Sequence, residues 1–223
     1  MVSLTFEGHE LNEPKHAPWP LWDAGFRVFF LGAAAYSVLA VLAWALVYAA
    51  GVVVPLEGVS LFHWHAQAMV YGYALAVVAG FLLTAIERWT GEPRLRGPVL
   101  GVLAGLWAVP RGVLLFGTQW ITVAAVFDGL FVLGLIAVLA GPIVRSRSWK
   151  HMGVLTKLVF LGAGQVIFYV HAIGGWADGG RVAVYGGLYM LVGLTLVISR
   201  RVLPMFIARG VGYPVELRNS LWL

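Results

Sequence analysis

The sequence contains no cysteine. That removes disulfides, thiolate metal sites and covalent attachment of a c-type haem. Charge is scarce as well. Only 11% of the 223 residues are Asp, Glu, Lys or Arg, where a soluble globular domain has about a quarter. No nucleotide-binding glycine loop, general-base dyad or nucleophile with a partner is readable, so no catalytic residue is named and the sequence does not decide whether the chain is an enzyme. The first 25 residues mix acidic and basic side chains, and no small-residue cleavage site follows the first apolar run, so a cleavable signal is not expected.

What the chain has instead is apolar length. Hydrophobic residues make up 61% of it. Crossing a bilayer as a helix takes about 20 apolar residues, and six runs qualify, roughly 26–50, 62–86, 98–117, 119–140, 152–174 and 182–203. Short connections join them, the tightest being Gly117–Thr118. The expected fold is all-α, a polytopic transmembrane helical bundle of six spans. Residues 1–25 form a cytoplasmic N-terminal segment, 26–210 the membrane domain and 211–223 a cytoplasmic tail.

The few cations set the orientation. Lys15, Arg27, Arg88, Arg94, Arg96, Arg145, Arg147, Lys150, Lys157, Arg200, Arg201, Arg209 and Arg218 fall on the side of the N-terminus, and only Arg111 and Arg181 on the other. Cationic loops stay in the cytoplasm, so both termini are expected there and the location is the cell inner membrane. Trp64, Trp120 and Trp176 then mark the outer interface, and Trp22, Trp89 and Trp149 the inner one. The bilayer is the expected surrounding, and no nucleic-acid partner is implied.

Of six histidines, His9 and His16 fall in the polar N-terminal segment and His151 in a basic cytoplasmic loop, where solvated side chains are expected. His63 and His65 open span 2, and His171 closes span 5. All three therefore sit at one depth near the outer face. Ionisable groups inside a membrane usually face the bundle interior and mark a site, and neutral imidazole is a common ligand for haem iron and copper. His63 and His65 lie about 200° apart on a regular helix. His65 shares a stripe with Met69, Gly72, Ala76 and Gly80, and His63 with Gln67, Val70, Ala74 and Val77. A nearly bare stripe below a histidine suits a flat macrocycle or a close helix–helix contact, so His65 is the expected inward ligand and His171 its partner. His63 and Met69, a soft ligand for copper, complete the candidate metal set. All three membrane histidines lie near one face, so one haem at most is expected and a two-haem electron bridge is not.

Arg111 and Asp128 sit on spans joined by the tight turn, and a buried ion pair is the economical reading. Alternatively Arg111 or Arg181, both on the histidine side, would bind a haem propionate.

The stretch "HAQAMVYGYALAVVAGFLLTAIERWTG" from His65 to Gly91 resembles the second helix of the NnrS family, through Trp64-His65, Gly72-Tyr73, Gly80 to Ala85 and Trp89 to Gly91. "FRVFFLG", Phe26 to Gly32, resembles the family's opening before span 1, and "ISRRVLPMFIARG" its close of span 6. His171 stands where the family often has a late span 5 histidine. Gln67 and Ala68 replace a second histidine and a glutamate, and members are typically longer, with a second set of spans. The resemblance implies a haem- and copper-containing membrane protein linked to denitrification and nitric oxide. Haem b on His65 and His171 is the expected cofactor, with copper as a second. A cofactor-free accessory or assembly subunit of a membrane reductase, such as nitric oxide reductase, is the alternative, and a homo-oligomer is compatible with either. A transporter has little support, because no internal repeat or paired helix break is visible.

Overall fold

The computed structural model describes residues 20–213. His9, His16, Lys15, Arg218 and most of the C-terminal tail lie outside the described residues. Six helices are long and apolar enough to cross a membrane: α1 Gly25–Ala50, α2 Leu61–Thr90, α3 Pro98–Leu115, α4 Ile121–Arg145, α5 Trp149–Ala172 and α6 Gly179–Val211. No strand occurs among the described residues. The outer surface of the bundle is apolar, with Leu31, Val38, Leu133 and Leu196 all exposed. In a lipid solvent that is the expected arrangement, and the backbone stays satisfied within each helix. The protein is a multi-pass membrane protein.

Successive helices run antiparallel and the bundle has two distinct ends. One carries the Gly51–Ser60, Phe116–Trp120 and Ile173–Asp178 connections and all three membrane histidines. The other carries most of the arginines. The first and last described residues share this basic end: Gly97 N donates to Trp22 O at 2.9 Å, and Arg201 of α6 lies over the Trp89 ring of α2 at 5.4 Å.

Helix α2 is the central element, with more than half of its membrane stretch buried. Its glycines explain how α1 packs on it. A Cβ at Gly80 would come within 2.9 Å of Phe30 and 3.0 Å of Phe29, and one at Gly72 would overlap Tyr36. Small residues let a neighbouring helix approach closely, and here the space is filled by aromatic rings of α1. The glycine stripe is therefore a helix contact.

Between Ala68 and Ala74 α2 widens into a π-helical segment. Such segments loosen the regular ladder and are often found at functional positions. Here they offer main-chain acceptors to α3: Trp107 Nε1 donates to Gly72 O at 3.0 Å, and Arg111 Nη2 donates to Tyr71 O.

Sequence reading takes Pro204 as the end or a kink of the last span. The helix does not end there but continues through it to Val211. Proline removes one N–H and so one hydrogen bond, and the flanking turns carry the helix on past it.

A histidine pair at one end of the bundle

The loop before α2 is pinned before the histidines begin. Thr118 N donates to Pro55 O at 2.9 Å, and Glu57 N donates to Thr118 Oγ1 at 2.7 Å. Gly58 has φ +71° and lies against the carbonyl of Ala172, where a side chain would collide. Ser60 caps α2, its hydroxyl accepting from His63 N at 3.2 Å. Trp64 Nε1 donates to Leu114 O at 2.8 Å. The first turn of α2 is thus tied to α3 on one side and to the end of α5 on the other.

This places His63 against His171. Their ring centroids are 5.2 Å apart and the planes cross at 88°. Gly180, in the first turn of α6, is the floor of the pair. A Cβ there would lie 2.7 Å from His171 Nε2 and 2.8 Å from His63 Cε1. His171 Nδ1 lies 2.9 Å from Trp176 O. A carbonyl only accepts, so Nδ1 carries the proton and Nε2 keeps the lone pair. Holding one ring nitrogen on a backbone carbonyl to fix the tautomer is the usual way a protein presents the other to a metal.

His65 goes elsewhere. Its ring stacks on Trp44 of α1, with centroids 4.7 Å apart and planes 30° off parallel. Its Nδ1 is buried without a hydrogen-bond partner. The sequence stripe pairs His65 with His171, but the ring that touches His171 belongs to His63. The stripe identified the shared face of His65, Gly72 and Gly80 correctly and could not say which helix covers it. That helix is α1.

Met69 is half-buried and packs against the main hydrophobic core. Arg181 is exposed one residue beyond Gly180 and makes no ion pair among the described residues. Arg111 is committed within the protein: it pairs with Asp128, donates to Tyr71 O and donates to Trp107 O at 3.2 Å. Tyr169 Oη donates to the other Asp128 oxygen. Arg111 is only 4% exposed and Asp128 fully buried, so each charge is matched inside the bundle, as burial in lipid requires. The buried pair inferred from the tight turn is present. The sequence offers Gln119, Gln165 and Tyr169 as interhelical hydrogen-bonding groups, and Tyr169 makes such a bond to Asp128; the π-helical carbonyls were not readable, because a widened helix turn has no distinctive spacing.

The haem and copper implied by the family resemblance can be tested against these side chains. Among the described residues no three His, Cys, Asp or Glu side chains gather around one point. Two imidazoles on opposite sides of one iron, at metal–nitrogen distances of about 2.0–2.1 Å, would have centroids ~6 Å apart on one axis. His63 and His171 are closer than that, and the Gly180 backbone lies against both. A macrocycle between them does not fit.

The family model described as "NnrS protein" matches residues 20–223. The chain belongs to the NnrS family. No curated protein and no solved structure matches it. The matched region takes in all six spans of this NnrS chain and the whole histidine end.

Proposed function

We propose that this NnrS protein is a metal-binding inner-membrane protein of nitric oxide and denitrification metabolism, with its metal at the His63–His171 pair on the periplasmic side. The observation that carries the reading is the tautomer of His171: Nδ1–H donates to Trp176 O, which leaves the Nε2 lone pair free on a ring packed against His63. The family resemblance supplies haem and copper as candidates, and the spacing of the rings favours copper. Neutral imidazoles suit copper well. The scarcity of cations at the histidine end supports the periplasmic assignment.

In this reading each residue has a separate task. Ser60 and Trp64 fix the turn that carries His63. Trp176 orients His171. Gly180 leaves room for both rings, and the Thr118 contacts hold the loop above them. A copper ion held by His63 and His171 would supply a redox-active Lewis acid there. Haem b on His65 and His171 would instead need His65 to leave Trp44 and His171 to leave His63.

The test is the metal content and visible spectrum of the detergent-purified full chain. About one copper per chain, with no Soret band, supports the reading. A Soret band that depends on His65 and His171 supports the haem b assignment in its place. A protein free of both metals that copurifies with a reductase supports the accessory-subunit role.

A further inference from the structure

His151 lies at the basic end, at the opposite end of α5 from His171. Its place in a cationic loop leads one to expect a solvated ring, and the structure corrects this. His151 is only 4% exposed. Its ring lies flat on Trp89 with centroids 4.9 Å apart and planes within 4° of parallel. Burial follows from that stacking, because the first turn of α5 carries His151 and delivers the ring between the ends of α2 and α6.

Arg201 fixes the protonation pattern. Arg201 Nη1 lies 2.5 Å from His151 Nδ1, and a guanidinium can only donate. Nδ1 therefore accepts and the ring proton is on Nε2. That Nε2–H is buried and has no partner at full hydrogen-bond geometry, the backbone of Trp89 being an acceptor near the ring. A buried donor left unpaired costs about 1–3 kcal/mol, so a native protein normally supplies an acceptor.

The surroundings specify the acceptor's charge. His151, Trp89, Arg88, Lys150 and Arg201 line a cleft of about 440 Å³. Its three cations have no carboxylate partner among the described residues. The nearby acids are used elsewhere: Glu87 pairs with Arg94 and Arg96, and Glu92 with Arg145. Arg201 is held rigidly by Lys150 O at 2.7 Å and by the Trp89 face at 5.4 Å. The N-terminus of α5 adds the positive end of its dipole, and no side chain caps it.

We infer that this cleft binds a phosphate-type oxyanion, with His151 Nε2–H and the Arg88, Lys150 and Arg201 cations as its donors. Its position at the membrane boundary makes the headgroup phosphate of an anionic phospholipid the first source. Basic pockets between transmembrane helices recognise such headgroups. Free phosphate offers the same oxygens. The apolar flank provided by Val202 and Met205 suits the glycerol and acyl portion of a lipid.

The test uses the full chain in neutral detergent and follows thermal unfolding. Phosphatidylglycerol, phosphatidylcholine and inorganic phosphate are added separately, the last against chloride at equal ionic strength. A ligand that binds only the folded state raises the melting temperature. Phosphatidylglycerol is expected to stabilise the wild type beyond phosphatidylcholine. Arg88→Gln and Lys150→Gln are exposed changes outside the helix packing and should each weaken that effect, by about tenfold in apparent affinity for one lost charge-assisted bond. His151→Phe keeps the stacked ring, removes the donor and should do the same. Stabilisation by inorganic phosphate alone, lost in the same variants, supports the oxyanion site and assigns it to a soluble ligand. No stabilisation by either phosphate source overturns the inference, and so does full stabilisation retained in Arg88→Gln and Lys150→Gln.

Discussion

His63 on α2 and His171 on α5 meet edge to face with centroids 5.2 Å apart, although 108 positions separate them in the chain. Their contact depends on a third residue with no side chain. Gly180 lets the first turn of α6 pass beneath both rings, so the site belongs to three helices and not two.

Gly180→Val is therefore expected to separate the imidazoles while sparing the rest of the bundle. The added carbons would overlap atoms that a Cβ alone already approaches to 2.7 Å. Bound metal should fall at least tenfold, with a stability loss of about 1–3 kcal/mol as for other overpacked positions. Metal analysis and detergent unfolding of the same sample measure both. Full metal retention in a folded Gly180→Val protein would remove Gly180 from the account.

The Arg111–Asp128 pair makes a prediction about stability alone. Asp128→Leu leaves a buried guanidinium without its anion and should cost about 3–5 kcal/mol. The double change Arg111→Leu with Asp128→Leu should recover most of that, because a buried ion pair is often replaceable by apolar side chains. Denaturant unfolding of both variants in one detergent checks this. A double variant no more stable than the single one would mean that Arg111's bonds to the Tyr71 and Trp107 carbonyls dominate.

Gly72→Ala tests the close approach of α1 to α2. A methyl there runs into the Tyr36 ring, and a loss of about 1–3 kcal/mol is expected. Tyr36→Leu in the same chain should restore part of it. Unfolding measurements on the single and double variants form the cycle that isolates this contact.

Much of the fold was legible because membrane spans announce themselves by length and apolarity. All six appear at their sequence positions, the largest difference being the last helix, which runs on from the expected end at residue 203 to Val211. The Arg111–Asp128 pair was also readable, since a tight turn forces adjacent helices to align and neither charge is tolerable alone in lipid. The common depth of the three membrane histidines followed from simple counting. What could not be read was the partner of each face. Helical spacing shows that His65, Gly72 and Gly80 share a stripe, but the aromatic rings of Trp44, Tyr36, Phe29 and Phe30 that fill it lie on another helix. The burial of His151 escaped for the same reason. Its loop is basic and polar in sequence, and only the return of α6 beside α2 brings Arg201 and Trp89 to enclose it.

The most direct test of the central claim is metal content and absorption in four purified proteins: wild type, His63→Ala, His65→Ala and His171→Ala. The account predicts about one copper per chain in wild type and in His65→Ala, and loss of it in His63→Ala and His171→Ala. A Soret-absorbing wild type that loses its band in His65→Ala and His171→Ala but keeps it in His63→Ala would contradict it.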